Sequence, residues 1–327
     1  MNPELLDGFV PMRVWWDAGT PTVDWCRLDG LRFTDPFFEG TIRRALQHPF
    51  NLAFRPQTPL GDLAARGAQR PGLAPSGFVF HLSRCGSTLV AQAFAALPHV
   101  LVISEAPPID AVLRAHERDS RITDDERIVW LRAMIDALGQ PRSRAERHLV
   151  VKFDAWHALH IDLIERAFPG VPWVFLVRDP VEVLVSHQRQ ISWMMAALNA
   201  PSLLECTPVE AMRLPRDEYH ARVLARIATA MAAHGAAERT IDYRALPGAV
   251  WQTIAPHFGI ALSSADDERL RAAVTRDAKQ PTRAFTADAA DKQDEADAEL
   301  REYAARWLAE PYARLTDQNE RGIPRTC

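Results

Sequence analysis

The sequence predicts an α/β protein: a doubly wound, mostly parallel central sheet with helices on both faces. Two observations predict this fold class. From residue 78 onward, short apolar runs recur along the chain, and such runs are typical of strands buried on both faces. Between them lie segments with apolar residues at helical spacing, and this alternation favours a parallel sheet. Ligands of such sheets bind at the carboxyl ends of the strands.

The strands and helices follow from these patterns. The predicted strands are Phe78–Leu82, Val100–Ile103, His148–Phe153, Trp173–Val177 and Thr240–Tyr243. The predicted helices cover residues 88–97, 155–168, 180–197 and 289–316, and the segment IVWLRAMIDAL after the capping-box sequence Thr123–Glu126. Pro180 stands at the favoured first position of its helix. We interpret the acidic run ADAADKQDEADAE of the last helix as a solvated face.

The first 75 residues have a different character. Aromatic residues cluster there between prolines and glycines, and the loop GAQRPGLAPSG ends the segment. We predict that residues 1–75 form an irregular or partly helical extension packed on the core. Residues 76–327 are predicted to form the α/β domain with a C-terminal helix.

Composition excludes some classes of function. The net charge of −4 argues against nucleic acid as a partner, because no excess of basic residues exists to displace counterions. No apolar stretch has the length of a membrane span, and the N-terminus lacks the pattern of a signal peptide. The four cysteines form no CxxC pair, which favours a reducing compartment. We therefore expect a cytoplasmic protein without a membrane partner.

The first candidate binding site is the loop SRCGST, residues 83–88, after the first predicted strand. Loop amides and a helix N-terminus suit a phosphate or a similar anion, and Arg84 adds a permanently charged, forked donor. A nucleoside-triphosphate loop has lysine directly after its last glycine, but Ser87 stands there in this chain. The alternative is that the loop binds no anion and is only a tight turn between strand and helix, with a serine that caps the helix.

The second candidate site follows the strand Trp173–Val177. Arg178 ends that strand, Asp179-Pro180 opens a helix, and Ser186 lies about two turns further along it. An arginine at the carboxyl end of a central strand favours an anion partner, although capping of a neighbouring helix is the alternative. Both loops are expected at the same edge of the sheet.

These two segments resemble the signature segments of the sulfotransferases that use 3′-phosphoadenosine 5′-phosphosulfate (PAPS). In that family a loop P-[KR]-x-G-[ST]-T holds the 5′-phosphosulfate, and RDPxxxxxS holds the 3′-phosphate. The chain departs from the pattern at Ser83, where proline is usual, and at Cys85, where serine or glycine is usual. The resemblance covers residues 78–260 and includes IDYRAL, which is similar to a family segment whose tyrosine lies near the adenine.

The resemblance implies a transfer of a sulfuryl group from PAPS to a hydroxyl or amine, with 3′-phosphoadenosine 5′-phosphate (PAP) as product and without a metal. The implied donor-binding residues are Arg84, Cys85, Gly86, Ser87, Thr88, Leu89, Arg178, Ser186 and Tyr243. Lys279 and Arg283 lie in a basic loop of the kind that closes over the nucleotide in the family; a solvated turn is the alternative.

Three residues are candidates for the chemistry. Glu105 follows the second strand, and the resemblance implies the general base at this position; capping of the next helix is the alternative. Histidines serve as the base in other members of the family, so His81 and His187 remain candidates. Lys152 lies at a strand end, and the resemblance implies a position near the transferred sulfuryl group. The alternative is a lysine whose side chain only extends along the surface to solvent. Arg84 is expected to stabilise the leaving phosphate.

Two other functions stay open. A P-loop kinase or ATPase shares the strand–loop–helix pattern but needs the missing lysine. A non-catalytic protein that binds PAP or another nucleotide needs the anion sites alone. The expected acceptor is a small molecule, a glycan or a peptide, and the sequence leaves this choice and the oligomeric state open.

Overall fold

A computed structural model describes residues 6–17, 19–190, 201–279 and 288–317 of the chain. The strands are β1 (Phe9–Asp17), β2 (Thr20–Arg27), β3 (Gln57–Pro59), β4 (Pro75–His81), β5 (Val100–Ser104), β6 (His148–Lys152), β7 (Trp173–Val177) and β8 (Thr240–Asp242). Strands β4 to β8 form one parallel sheet in the order β5-β6-β4-β7-β8. These are the five predicted strands, with ends shifted by at most a few residues.

Helices occupy most of the remaining described chain. They are α1 (Phe38–Ala45), α2 (Pro49–Ala53), α3 (Asp62–Gln69), α4 (Ser87–Ala95), α5 (Pro107–Leu113), α6 (Ala115–Arg118), α7 (Asp124–Leu138), α8 (Ile161–Ala167), α9 (Pro180–Arg189), α10 (Pro208–Arg213), α11 (Arg216–Ala233), α12 (Ala255–His257), α13 (Ser264–Ala273), α14 (Ala289–Glu295), α15 (Ala298–Tyr303) and α16 (Ala309–Thr316). Short 3₁₀ turns cover Ala155–His160, Pro201–Leu204, Ala236–Arg239 and Tyr243–Ala245, and π-helical turns cover Val250–Ile254 and Ala304–Leu308. No described helix combines the length and the hydropathy needed to cross a bilayer.

The parallel sheet separates two hydrophobic clusters, which confirms helices on both of its faces. Phe78 and Phe80 of β4 pack into one cluster, whereas Val79 between them packs into the other. Successive side chains of a strand point to opposite faces. A strand covered on both faces is therefore mostly apolar, which is why the sheet could be predicted from nearly continuous apolar runs.

The N-terminal segment contains a sheet that we did not predict. Strands β1, β2 and β3 form an antiparallel sheet, and Gly19 between β1 and β2 has a φ of 88°. Ser104 at the end of β5 donates to the Pro36 carbonyl over 3.0 Å, so the segment between β2 and β3 contacts the carboxyl edge of the parallel sheet. β1 does not alternate regularly between buried and exposed positions, and prolines lie within β1, β2 and β3, so these segments lacked the pattern that predicts a strand.

Three predicted helices differ from those observed. Residues 155–168 form a 3₁₀ turn before α8 instead of one continuous helix. Residues 180–197 are helical as far as Arg189, and 191–197 lie outside the described residues. The predicted helix 289–316 is interrupted after α14, because Asp297 caps a new helix by accepting from the Leu300 amide over 2.7 Å.

Candidate active site

A cavity of 580 Å³ lies at the carboxyl edge of the parallel sheet. It is bordered by the segments that follow β4, β5, β6 and β7, and by residues of the N-terminal segment and of α14. All predicted site residues except Lys152 line it: Arg84, Cys85, Gly86, Ser87, Thr88, Leu89, Glu105, Arg178, Ser186, Tyr243 and Lys279. Arg283 lies outside the described residues.

The loop between β4 and α4 has an unusual backbone. Ser83, Arg84 and Gly86 have φ angles of 74°, 52° and 85°, in the left-handed region that side chains disfavour. A Cβ at Gly86 would lie 2.6 Å from Cδ1 of Leu246 and 2.9 Å from Cδ2 of Tyr243. Only glycine therefore fits at the point where the loop turns into α4, whose first amides lack helical acceptors. We call Arg84 and residues 85–88 the first anion site.

Two side chains of the first anion site have distinct environments. The guanidinium of Arg84 donates to the backbone carbonyl of Gln190 and, over 3.4 Å, to its side-chain oxygen. The thiol of Cys85 is fully buried and donates to the Leu176 carbonyl over 3.1 Å. Burial raises the pKa of Cys85 to about 12, so this thiol stays protonated and serves packing.

Arg178 is 4% exposed and lines the same cavity as that loop, with Ser186 and Tyr243. Its Nε donates to Glu182 over 2.5 Å, and its Nη2 donates to Asp288 over 2.8 Å. Its guanidinium carbon lies 4.0 Å from the centre of the Tyr243 ring, a cation–π distance. We call Arg178, Ser186 and Tyr243 the second anion site.

Glu105 and Lys152 form an ion pair between the ends of β5 and β6. The Lys152 ammonium donates to Oε1 of Glu105, and the lysine side chain is fully buried. Burial by itself raises the pKa of Glu105, but Lys152 and His81 outweigh it, and the pKa is held well below its ordinary range. Lys152 does not reach the cavity surface; it orients the carboxylate that does. Glu105 also has a left-handed backbone, with a φ of 51°.

The two candidate histidines differ: His81 lines the cavity, with its Nε2 3.4 Å from Oε1 of Glu105, whereas His187 does not line it. Nδ1 of His81 accepts from the Ser83 amide, and Nε2 donates to the Phe153 carbonyl, both over 3.0 Å. Burial lowers the pKa of His81, so its neutral ring joins the loop to β6. His187 is fully buried beside His220, with ring centres 5.1 Å apart, and is not among the cavity-lining residues.

A second carboxylate and an aromatic side chain follow β6 into the cavity. Asp154 is 8% exposed, and Trp156 donates its indole N–H to Asp110 over 2.6 Å. Burial raises the pKa of Asp154 well above its ordinary value, and the negative charges of Glu105 and Asp110 add to this effect. Asp154 and Glu105 therefore line the same cavity with pKa values shifted in opposite directions.

The sequence analysis missed two charged residues of the cavity, Asp288 and Lys292. Both line it beside the second anion site, and Lys292 is 3% exposed. The interpretation of this acidic run as a solvated face is therefore wrong at these positions. A lysine inside an otherwise acidic run was the available signal. Phe37, Glu39 and Gln190 also line the cavity, without a signal in the sequence.

No family model and no curated protein matches the chain. The chain is similar to the solved structure of a sulfotransferase domain from the curacin biosynthetic pathway, with 16% identity and a TM-score of 0.44. The match covers 77% of this chain and 100% of that domain. The function proposed below rests on the residues of the cavity instead.

Proposed function

We propose that this protein is a sulfotransferase that moves a sulfuryl group from PAPS to a hydroxyl or amine of an acceptor and releases PAP. The observation that carries the proposal is that the first and second anion sites line one cavity. Its volume lies in the range of small-molecule sites. A ligand with two separate anionic ends can therefore contact both sites at once.

The residues of the first anion site favour a phosphosulfate over a triphosphate. Backbone amides, Ser87, Thr88 and the start of α4 provide neutral donors, and Arg84 provides one fork of charged donors. The lysine that reaches the outer phosphates of a triphosphate is replaced by Ser87. The second anion site then takes the 3′-phosphate, which ATP lacks, and Tyr243 lies beside the nucleoside.

The proposed chemistry forms a bond between the acceptor oxygen or nitrogen and sulfur while the bond from sulfur to the bridging phosphate oxygen breaks. The acceptor proton passes to Glu105, and Arg84 stabilises the charge that develops on the leaving phosphate. Lys152 binds Glu105 in the free protein. The negative charge of a sulfuryl group bound in the cavity beside Glu105 disfavours the ionised carboxylate, which raises the pKa of Glu105 and makes it a stronger base.

The acceptor binds in the part of the cavity near Glu105, because the Phe37 ring of the lining lies 5.4 Å from the Lys152 ammonium that pairs with Glu105. Phe37 and Trp156 offer aromatic surface there, and Glu39 and Asp154 offer carboxyl groups. A small molecule, or one residue of a glycan or peptide, is compatible with a cavity of this size.

Ligand-dependent thermal melting, followed by a transfer assay, tests the proposal. PAP without magnesium should raise the melting temperature in proportion to its affinity, whereas ATP and ADP should have little effect. A large magnesium-dependent shift with ATP and none with PAP would favour a kinase or ATPase instead. Labelled PAPS with a panel of phenols, amino sugars and peptides then reports transfer. PAP binding without transfer to any acceptor would favour a non-catalytic nucleotide-binding protein.

A further inference from the structure

The Asp288 carboxylate occupies a position between cations beside the second anion site. Its Oδ1 accepts from Nη2 of Arg178, and its Oδ2 lies 2.8 Å from Nζ of Lys292. Nη1 of Arg189 is 3.8 Å from the same Oδ2. One carboxylate is thus contacted from three directions by positive groups, the arrangement that proteins use to bind a phosphate.

Two of these cations are almost completely buried. Arg178 is 4% exposed and Lys292 is 3% exposed, yet both reach the cavity surface. A buried lysine needs an anion, because an unpaired ammonium away from water is strongly destabilised. Asp288, whose side chain is 34% exposed, is the anion that meets this need in the free protein. It lies directly before α14, so its side chain can leave without disrupting a strand.

The local charges balance only while Asp288 is present. Within the described part of the chain, Arg178, Lys292 and Arg189 form ion pairs with Asp288, Glu182 and Glu295. A phosphate dianion added to this balanced group would meet the Asp288 charge at short range. If the phosphate instead replaces the carboxylate, it inherits the hydrogen bonds from Arg178 and Lys292.

We propose that Lys292 and Arg178 together bind the 3′-phosphate monoester of the donor nucleotide, and that the Asp288 carboxylate occupies this phosphate position until the nucleotide displaces it. The inference rests on the proposed function and extends it, because it assigns a ligand contact to α14, which lies outside the two signature segments. Asp288 lowers the affinity for the 3′-phosphate and keeps the buried cations paired in its absence.

Calorimetric titration of PAP and AMP tests the inference, because these nucleotides differ only in the 3′-phosphate. Asp288→Asn should tighten PAP binding about tenfold, equivalent to ~1.4 kcal/mol, and leave AMP binding unchanged. Lys292→Met should weaken PAP binding by a similar factor and also spare AMP. Asp291→Asn is the matched control, since Asp291 is an exposed aspartate on the same helix, and should change neither affinity.

The buried lysine requires a second measurement. If Lys292→Met fails to fold, Asp288→Asn is compared with the double variant Asp288→Asn/Lys292→Met, which removes the pair together; the double variant should bind PAP less tightly. Weaker or unchanged PAP binding in Asp288→Asn shows that Asp288 only orients Arg178, and overturns the inference. If wild type binds PAP no better than AMP, the proposed donor itself is rejected. A further outcome is that wild type binds PAP more tightly than AMP and Arg178→Ala removes this preference, while Asp288→Asn and Lys292→Met leave PAP affinity unchanged. That result rejects the inference about Asp288 and Lys292 and leaves the proposed function in place.

Discussion

Glu105 and Lys152 are joined twice, through the backbone and through their side chains. The Glu105 amide donates to the Lys152 carbonyl over 2.8 Å, which extends the parallel pairing of Ser104 with Lys152 by one residue. The lysine ammonium then donates to the glutamate Oε1. The sheet register therefore determines where the carboxylate lies, and the buried lysine determines how it titrates.

The first prediction concerns this carboxylate. Glu105→Gln should leave PAP affinity within a factor of two or so of wild type, because Glu105 belongs to neither anion site. Turnover with PAPS should fall by about 10²–10⁴-fold, the usual contribution of a general base. Steady-state kinetics and PAP titration on the same preparation check both parts. Wild-type turnover in this variant would eliminate Glu105 as the base.

The second prediction concerns the second anion site. Arg178→Ala should weaken PAP binding by about 1.5–3 kcal/mol, the contribution of a charge-assisted hydrogen bond. Titration of PAP measures the loss. The control is Arg244→Ala, because the Arg244 side chain is 83% exposed and pairs with Asp242. Equal PAP affinity of wild type and Arg178→Ala would remove the 3′-phosphate assignment.

The third prediction concerns the turn of the first anion site. Gly86→Ala should destabilise the protein and reduce PAP binding, because the new Cβ meets Leu246 and Tyr243 at a φ of 85°. Gly170→Ala is the matched control: its φ is 81°, but nothing lies within 4 Å of the new Cβ. Backbone strain of about 1–2 kcal/mol should be common to both variants. Urea unfolding and PAP titration should show the larger destabilisation and the loss of binding in Gly86→Ala alone.

The fourth prediction concerns the pH dependence of stability. The pKa of Asp154 is raised in the folded protein, so the folded state binds its proton more tightly than the unfolded state. The free energy of unfolding should therefore fall as pH rises from 3.8, the ordinary value, through the raised pKa, by at most about 1.4 kcal/mol per pH unit. Asp154→Asn removes this loss.

The pH range of that measurement separates Asp154 from Glu105. The pKa of Glu105 is lowered, so its contribution to stability is lost only as pH falls below its ordinary value of 4.5. Above about pH 5.5, one unit higher, glutamate is ionised in both states. The difference between wild type and Asp154→Asn, followed upward from there by urea unfolding, isolates Asp154. A difference that does not change with pH at any point above 3.8, the ordinary value, would contradict a raised pKa.

Much of the fold was predictable from local sequence. The five parallel strands are mostly apolar runs, because the sheet is covered on both faces, and three of them are followed by a recognisable residue: Gly86 after β4, Glu105 after β5 and Arg178 after β7. Strands of a parallel sheet end at the same edge, so residues after different strands were expected near one another. The N-terminal sheet was missed because its strands contain prolines and have neither a continuous apolar run nor a regular alternation of buried and exposed residues.

The sequence by itself therefore determined the architecture and which residues lie at the strand ends that border the cavity. Both follow from apolar periodicity and turn residues, which act over a few neighbouring positions. Only the tertiary structure decided which charges meet. Lys152 pairs with Glu105 across 47 residues of sequence, and Arg178 pairs with Asp288 across 110. The pKa and the availability of a charged group depend on burial and on partners in space, and the local sequence around Asp288 has the pattern of a solvated helix.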